Sequence, residues 1–255
     1  MISFRFIVVP GATLEVQALA GDTSSSQGAL DSFQAAVEAA RLRSIPGSCH
    51  ASLSLGARPV VFTSDLYGNA CEPEWTREAI NLVRSLLSLQ GAGQGLEWGA
   101  GSSTLWLLSG LIGQLESVEH DVGVATKVNA TMQSAFGAED LQARWRLRVV
   151  PPAGPVLTFL QAESYEHYFT AYIEAPENRE GAYSFIAVQG MARLAALRRA
   201  VKLLQPSGGV LVLANSQRKA YGPATSIVPE HWRVHTSGDE RGATTVWQSC
   251  LPGAC

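Results

Sequence analysis

Five short apolar runs, each followed by a segment of helical spacing, constrain this chain more than any other feature. They are residues 95–98 (GLEW), 115–119 (LESVE), 145–150 (WRLRVV), 183–188 (YSFIAV) and 209–213 (GVLVL). Runs this short, with little polar alternation, suit strands buried on both faces. Their alternation with helices suits a mostly parallel sheet covered on both sides. Helices are expected over 29–43, from Pro73 or Glu74 to the glycines at 91–95, from the turn after residue 98 to about Leu111, over 122–135, over 164–174 and over 191–204. The tail differs. Residues 231–237 and 243–249 are strand-like and joined through GDERG, which predicts an antiparallel hairpin. The expected fold is α/β, a seven-stranded, mostly parallel sheet closed by a C-terminal antiparallel hairpin.

Composition excludes several classes. A chain of 255 residues that is 46% hydrophobic can bury a full core. Its net charge of −3 gives no electrostatic footprint for nucleic acid, so no nucleic-acid partner is expected. No apolar run reaches the ~18 residues of a membrane span. The start, MISFRFIVVPGATLEVQALAGD, is interrupted by Pro10 and Glu15 and reads as a strand or arm more than as a cleaved signal. Cys49, Cys71, Cys250 and Cys255 show no C-x-x-C spacing. They fit reduced thiols in an intracellular, cytoplasmic protein, with a Cys250–Cys255 bridge left open. Nothing in the sequence fixes the oligomeric state.

The stretch LEWGAGSSTLWL (96–107) places a strand end, a glycine turn and a helix start in succession. Two ligand classes use such a corner. A dinucleotide turn, G-x-G-x-x-G, needs a third glycine for close helix packing and seats a pyrophosphate on the helix N-terminus. Here Thr104 takes that third place. An S-adenosylmethionine (SAM) turn places an acid before x-G-x-G, and Glu97-Trp98-Gly99-Ala100-Gly101 has that form. The acid favours a ligand that carries an ammonium and a sulfonium and no phosphate. Gly99 and Gly101 admit close backbone approach. Glu119 ends the next strand, twenty positions after Gly99, where a carboxylate accepts from both ribose hydroxyls.

These residues resemble the class I SAM-dependent methyltransferases, and more closely a group of methyltransferase-like proteins with motifs LEWGSGSSTLWL and VSVEHD. The matching segments are 96–107 and ESVEHD (116–121), with looser matches at EPEWTREAINLV (72–83), AVQGMARLAALRRAV (187–201) and GGVLVLANSQRKAY (208–221). The resemblance implies an N-terminal extension over 1–57 and a methyltransferase-like domain over 58–255. It also implies that Glu97, Gly99 and Gly101 line the methionine end of SAM and that Ser102 and Ser103 approach it from the helix start. Glu119 would hold the ribose, His120 would lie beside it, and Val150-Pro151-Pro152 would lie near the adenine.

The chain departs from the group at two strand ends. Gln189 stands before Gly190, and Ala214 before Asn215-Ser216, where the group carries aspartates. Neither residue supplies a carboxylate, so no catalytic divalent metal is expected and neither position holds a general base. Gln189 and Asn215 are the remaining catalytic candidates. The expectation is metal-independent methyl transfer from SAM to a small-molecule or protein acceptor. The alternative is a non-catalytic SAM-binding or interaction protein on the same scaffold.

Overall fold

The computed structural model of the chain describes residues 32–38, 72–91, 93–155, 159–177 and 179–254. The expected N-terminal arm, the connection over 44–58 and the boundary at 57/58 lie outside these residues. Within the expected helix 29–43, residues 32–38 are helical (α1) and bury Phe33, Ala36 and Val37.

Seven strands form one sheet. They are β1 (Gln94–Trp98), β2 (Gln114–Glu119), β3 (Trp145–Val149), β4 (Phe185–Val188), β5 (Val210–Ala214), β6 (Arg233–Asp239) and β7 (Gly242–Gln248). The spatial order is β3-β2-β1-β4-β5-β7-β6. All pairings from β3 to β5 are parallel, and β7 runs antiparallel to both β5 and β6. This is the expected class I methyltransferase fold. The chain builds outward from β1 through β2 to β3, then crosses back to place β4 on the other side of β1. In such sheets the crevice outside the carboxyl ends of the strands at that reversal is where ligands bind.

Two cores sandwich the sheet. One joins α1 with α2 (Arg77–Gln90), α3 (Ser102–Leu108), α4 (Val122–Phe136) and α5 (Ala138–Arg144). The other joins α6 (Phe159–Ser164), α7 (Thr170–Glu174), α8 (Arg193–Leu203) and α9 (Ala224–Ile227). Leu96 and Trp98 of β1 face the second core, so the residue between them, Glu97, faces α3.

Several boundaries differ from expectation for local reasons. Helix α2 starts at Arg77 because the Thr76 hydroxyl accepts from the Ala79 amide, and Pro73 precedes the helix. Tyr183 makes only an isolated bridge to Leu204, so β4 begins at Phe185. Helix α8 begins two residues late because Ala192 takes a left-handed conformation, φ 48°. The segment 164–174 divides into a 3-10 turn, Glu166–Phe169, and α7. Cys250 is buried and disulfide-bonded, which corrects the expectation of reduced thiols at that position. None of the described helices is long and apolar enough to cross a membrane.

The segment before α2 is tied to the hairpin. The Thr76 amide donates to Thr244 Oγ1 at 3.0 Å, and the Thr76 and Ser237 hydroxyls lie 2.5 Å apart. The Arg77 amide donates to Asp239 Oδ2, and Arg241 donates to the carbonyl of Trp75. Thr76→Ala removes both the helix cap and the Ser237 contact. It is expected to destabilise the chain by about 1–2 kcal/mol in urea unfolding, with no change in the fold by circular dichroism.

Candidate functional site

The glycine turn sits at the sheet reversal. Gly99 has φ 95°, and a Cβ there would lie 2.7 Å from the Gly190 amide nitrogen. Gly190 is equally confined: its Cβ would meet Gly99 N at 3.0 Å and Tyr172 Oη at 2.0 Å. These two glycines let the chain ends of β1 and β4 touch. Gly101 differs, because a Cβ there would enter open space. Of the three glycines here, it is the one that faces room for a ligand.

Glu97 is fully buried. Its carboxylate accepts from the hydroxyls of Ser103 and Ser117, each at 2.7 Å, from Thr104 Oγ1, and from Gln189 Nε2 at 3.1 Å. Thr104, the residue in place of a third glycine, also accepts from the Gly101 amide at 3.0 Å. Ser103 therefore turns inward to Glu97, and Ser102 opens α3 half-buried. Glu97 serves the turn from below, as its internal brace. Burial drives its pKa from 4.5 to about 7, against the opposing pull of its hydroxyl donors.

Glu119, at the end of β2, is also buried. Its Oε2 accepts from the Ala100 amide, and its Oε1 from the amides of His120 and Asp121, all at 2.8 Å. The carboxylate of β2 is thus bonded directly to the turn after β1. Oε2, with one amide on it, keeps room for a further donor. His120 Nδ1 lies 2.8 Å from Glu119 Oε1 without the alignment of a hydrogen bond, and its ring packs edge-on to Tyr172. Asp121 caps α4 through the Val124 amide, which holds its carboxyl below the usual range. Two exposed apolar side chains flank Glu119. Val149 is its register partner on β3, and Val122 opens α4.

At the ends of β4 and β5 the expected acids are replaced by a structural arrangement. The Gln189 amide donates to Gly99 O at 2.8 Å, to Ser103 Oγ at 2.5 Å and to Glu97, while its oxygen accepts from Trp75 Nε1 at 3.0 Å. Asn215 follows β5 in a left-handed conformation, φ 54°. The buried Arg193 guanidinium spans the two ends, donating to the carbonyls of Gln189, Gly190 and Ala214. Glu163 receives the amides of Arg193 and Leu194 and so closes the start of α8.

The structure brings Glu97, Gly99, Gly101, Ser102, Ser103, Glu119 and Gln189 into one corner, with His120 beside it. Asn215 follows β5, one residue past the Ala214 carbonyl that Arg193 holds. Sequence reasoning missed Trp75, Thr104, Ser117, Tyr172 and Arg193 as parts of this corner. Thr104 and Ser117 lay inside the two motifs and Trp75 and Arg193 inside the looser matches, and only Tyr172 lay outside all of them. Trp75 reaches Gln189 across 114 positions, and no local signal marks such a pair.

No protein-family profile matches the sequence, and no curated protein is significantly similar to it. Several solved structures are similar in shape. A methyltransferase-like protein from Silicibacter pomeroyi is 19% identical, with a TM-score of 0.42 over 68% of this chain and 88% of that one. A tRNA (m1A58) methyltransferase from Aquifex aeolicus is 11% identical, TM-score 0.41, over 64% and 65%. A spermidine synthase from Thermotoga maritima is 12% identical, TM-score 0.43, over 65% and 56%. This chain thus spans little more than half of the last. Likenesses this distant do not choose among activities, so function must be judged from the chain's own geometry.

The raised pKa of Glu97 has a stability consequence. The folded chain holds this proton more tightly than the unfolded chain, so Glu97 makes stability fall as pH rises from about 4.5 to about 7. Above that range its effect is constant. The shift corresponds to a few kcal/mol, on the order of 3. In urea unfolding at a series of pH values, Glu97→Gln should lose this component. The gap between variant and wild type should widen in the variant's favour from pH 5 to pH 8.

Proposed function

We propose that the chain binds S-adenosylmethionine in the crevice at the β1/β4 reversal and transfers its methyl group to an acceptor without a divalent metal. The observation that carries this is the bond between the two motifs. Glu119 Oε2 accepts from the Ala100 amide at 2.8 Å, so the acid of β2 and the glycine turn of β1 form one wall.

The donor set suits this ligand. Glu119 has acceptor capacity left for ribose hydroxyls. Gly101 leaves open space beside the turn, where the ligand backbone can approach. The exposed Val122 and Val149 give an apolar shelf next to Glu119 for the adenine, near the loop 150–152. When bound, SAM supplies an electrophilic methyl group on a sulfonium.

The chain's own contribution is then mainly orientation. Neither Gln189, whose amide is engaged on both sides, nor Asn215 offers a basic group. The acceptor must therefore be nucleophilic in its own right or lose its proton to water, and the rate must come from holding it in line. Arg193 occupies the strand ends at which related enzymes place metal-binding acids, and a cation there would meet its positive charge.

Calorimetry with S-adenosylhomocysteine tests the binding site. The wild-type chain should bind it, and Glu119→Ala should weaken binding at least about tenfold, or ~1.4 kcal/mol. No binding by wild type at millimolar ligand would overturn the proposal, and binding unaffected by Glu119→Ala would overturn the site. Transfer of a tritiated methyl group to its acceptor should be unchanged by EDTA. Loss of transfer that added magnesium restores would reject the metal-independent mechanism.

A further inference from the structure

Beside α8 the structure holds a second cleft, of about 380 Å³. One wall is α8, and the other is the 3-10 turn Glu166–Phe169 with α7. None of its lining residues belongs to the glycine-turn corner. Ile173 and Ala195 give it an apolar patch, and the remaining lining is polar or charged.

The charges divide by wall. Arg198, Arg199 and Lys202 come from α8, and Glu166 and Glu174 stand across from them. Arg198 is occupied, since its Nη1 donates to Glu166 Oε2 at 2.9 Å. Arg199 is not. Its side chain is only 13% exposed, and its Nε is buried without a hydrogen-bond partner. Its Nη2 lies 3.5 Å from Oε2 of Glu174, whose side chain is mostly exposed. Lys202 follows three positions later on the same side of α8. Its ammonium enters no ion pair among the described residues. A desolvated N–H on a charged group is costly to leave unmet. Here one such N–H and an unpaired ammonium, one turn apart, line the same cleft.

We propose that this cleft binds a phosphate monoester, with the phosphate on Arg199 and Lys202 and the organic group over Ile173 and Ala195. The charge of the ligand follows from the opposite wall. With two carboxylates present, a singly charged anion gains little, and a phosphate carries close to two charges near neutrality. Its shape follows from the donors. A planar carboxylate matches one edge of the guanidinium, whereas a tetrahedral phosphate can take the Arg199 edge and still turn an oxygen to Lys202. The cleft is larger than a bare phosphate needs, so the ion is the end group of a small molecule. The site does not depend on the SAM proposal.

Calorimetry on the full chain tests it with three probes: inorganic phosphate, phenyl phosphate and benzoate. Wild type should bind phenyl phosphate best and inorganic phosphate several-fold more weakly. Benzoate should not bind measurably at millimolar concentration. Arg199→Lys keeps the charge and removes the buried Nε–H, and should weaken phenyl phosphate about tenfold. Lys202→Gln, at an exposed position, should weaken it several-fold. Glu174→Gln removes the carboxylate that competes for Arg199 and should tighten binding. Lys127→Gln, on α4, should change nothing. No binding of either phosphate by wild type overturns the site, as does binding that Lys202→Gln leaves intact, whatever Arg199→Lys does to stability. A loss in Lys127→Gln equal to that in Arg199→Lys marks bulk charge and also overturns it. Benzoate bound as tightly as phenyl phosphate overturns the choice of phosphate. Inorganic phosphate bound as tightly as phenyl phosphate overturns the organic end.

Discussion

The buried carboxylate of Glu97 is the interaction on which the corner depends. It sits in a central strand covered on both faces, where a charge survives only if donors surround it. Those donors come from α3, from β2 and from the residue after β4. One side chain therefore fixes the distance between three elements that must stay in register for the crevice to exist. Burial and hydrogen bonding pull its pKa in opposite directions, and burial wins. A carboxyl poised near neutrality can accept every donor when charged and still share a proton when not. The brace tolerates either state.

Gln189 and Arg193 explain each other. A carboxylate after β4 would stand close to Glu97, and two acids together would need a cation. Gln189 removes that charge and adds a donor to Glu97. The cation is then covalent: the Arg193 guanidinium lies across the carbonyls at the ends of β4 and β5. Breaking such a buried set by removing one partner is costly, because the rest is left unpaired. The two strand ends thus carry an amide and a guanidinium whose donors are met by Glu97 and by backbone carbonyls.

The sheet was legible because its strands are short apolar runs bounded by glycine and proline, and because parallel strands buried on both faces leave no alternation. The hairpin was legible from its turn, although both strands run further toward each other than GDERG suggested, meeting at Asp239 and Gly242. Short helices such as α5, α6 and α9 were not legible, since a turn or two carries little periodicity. At the site, the motif residues were found and the direction of their side chains was not. Glu97 and Ser103 point inward because the odd face of β1 is roofed by α3. That is a property of packing. Trp75 and Tyr172 reach the corner from distant segments, and only the folded chain brings them there.

The choice of ligand class turns on how the amides at the start of α3 are used. A pyrophosphate needs free N–H groups at a helix start and no anion beside them. Here the Ala100 amide is held by Glu119 and the Gly101 amide by Thr104. The same corner holds two carboxylates, Glu97 and Glu119, so a diphosphate would meet repulsion where it needs donors. A ligand with a sulfonium and an ammonium would meet attraction instead. Thr104 is decisive in this. In place of a third glycine it puts a hydroxyl that both braces Glu97 and occupies the Gly101 amide, which leaves that amide closed to a phosphate.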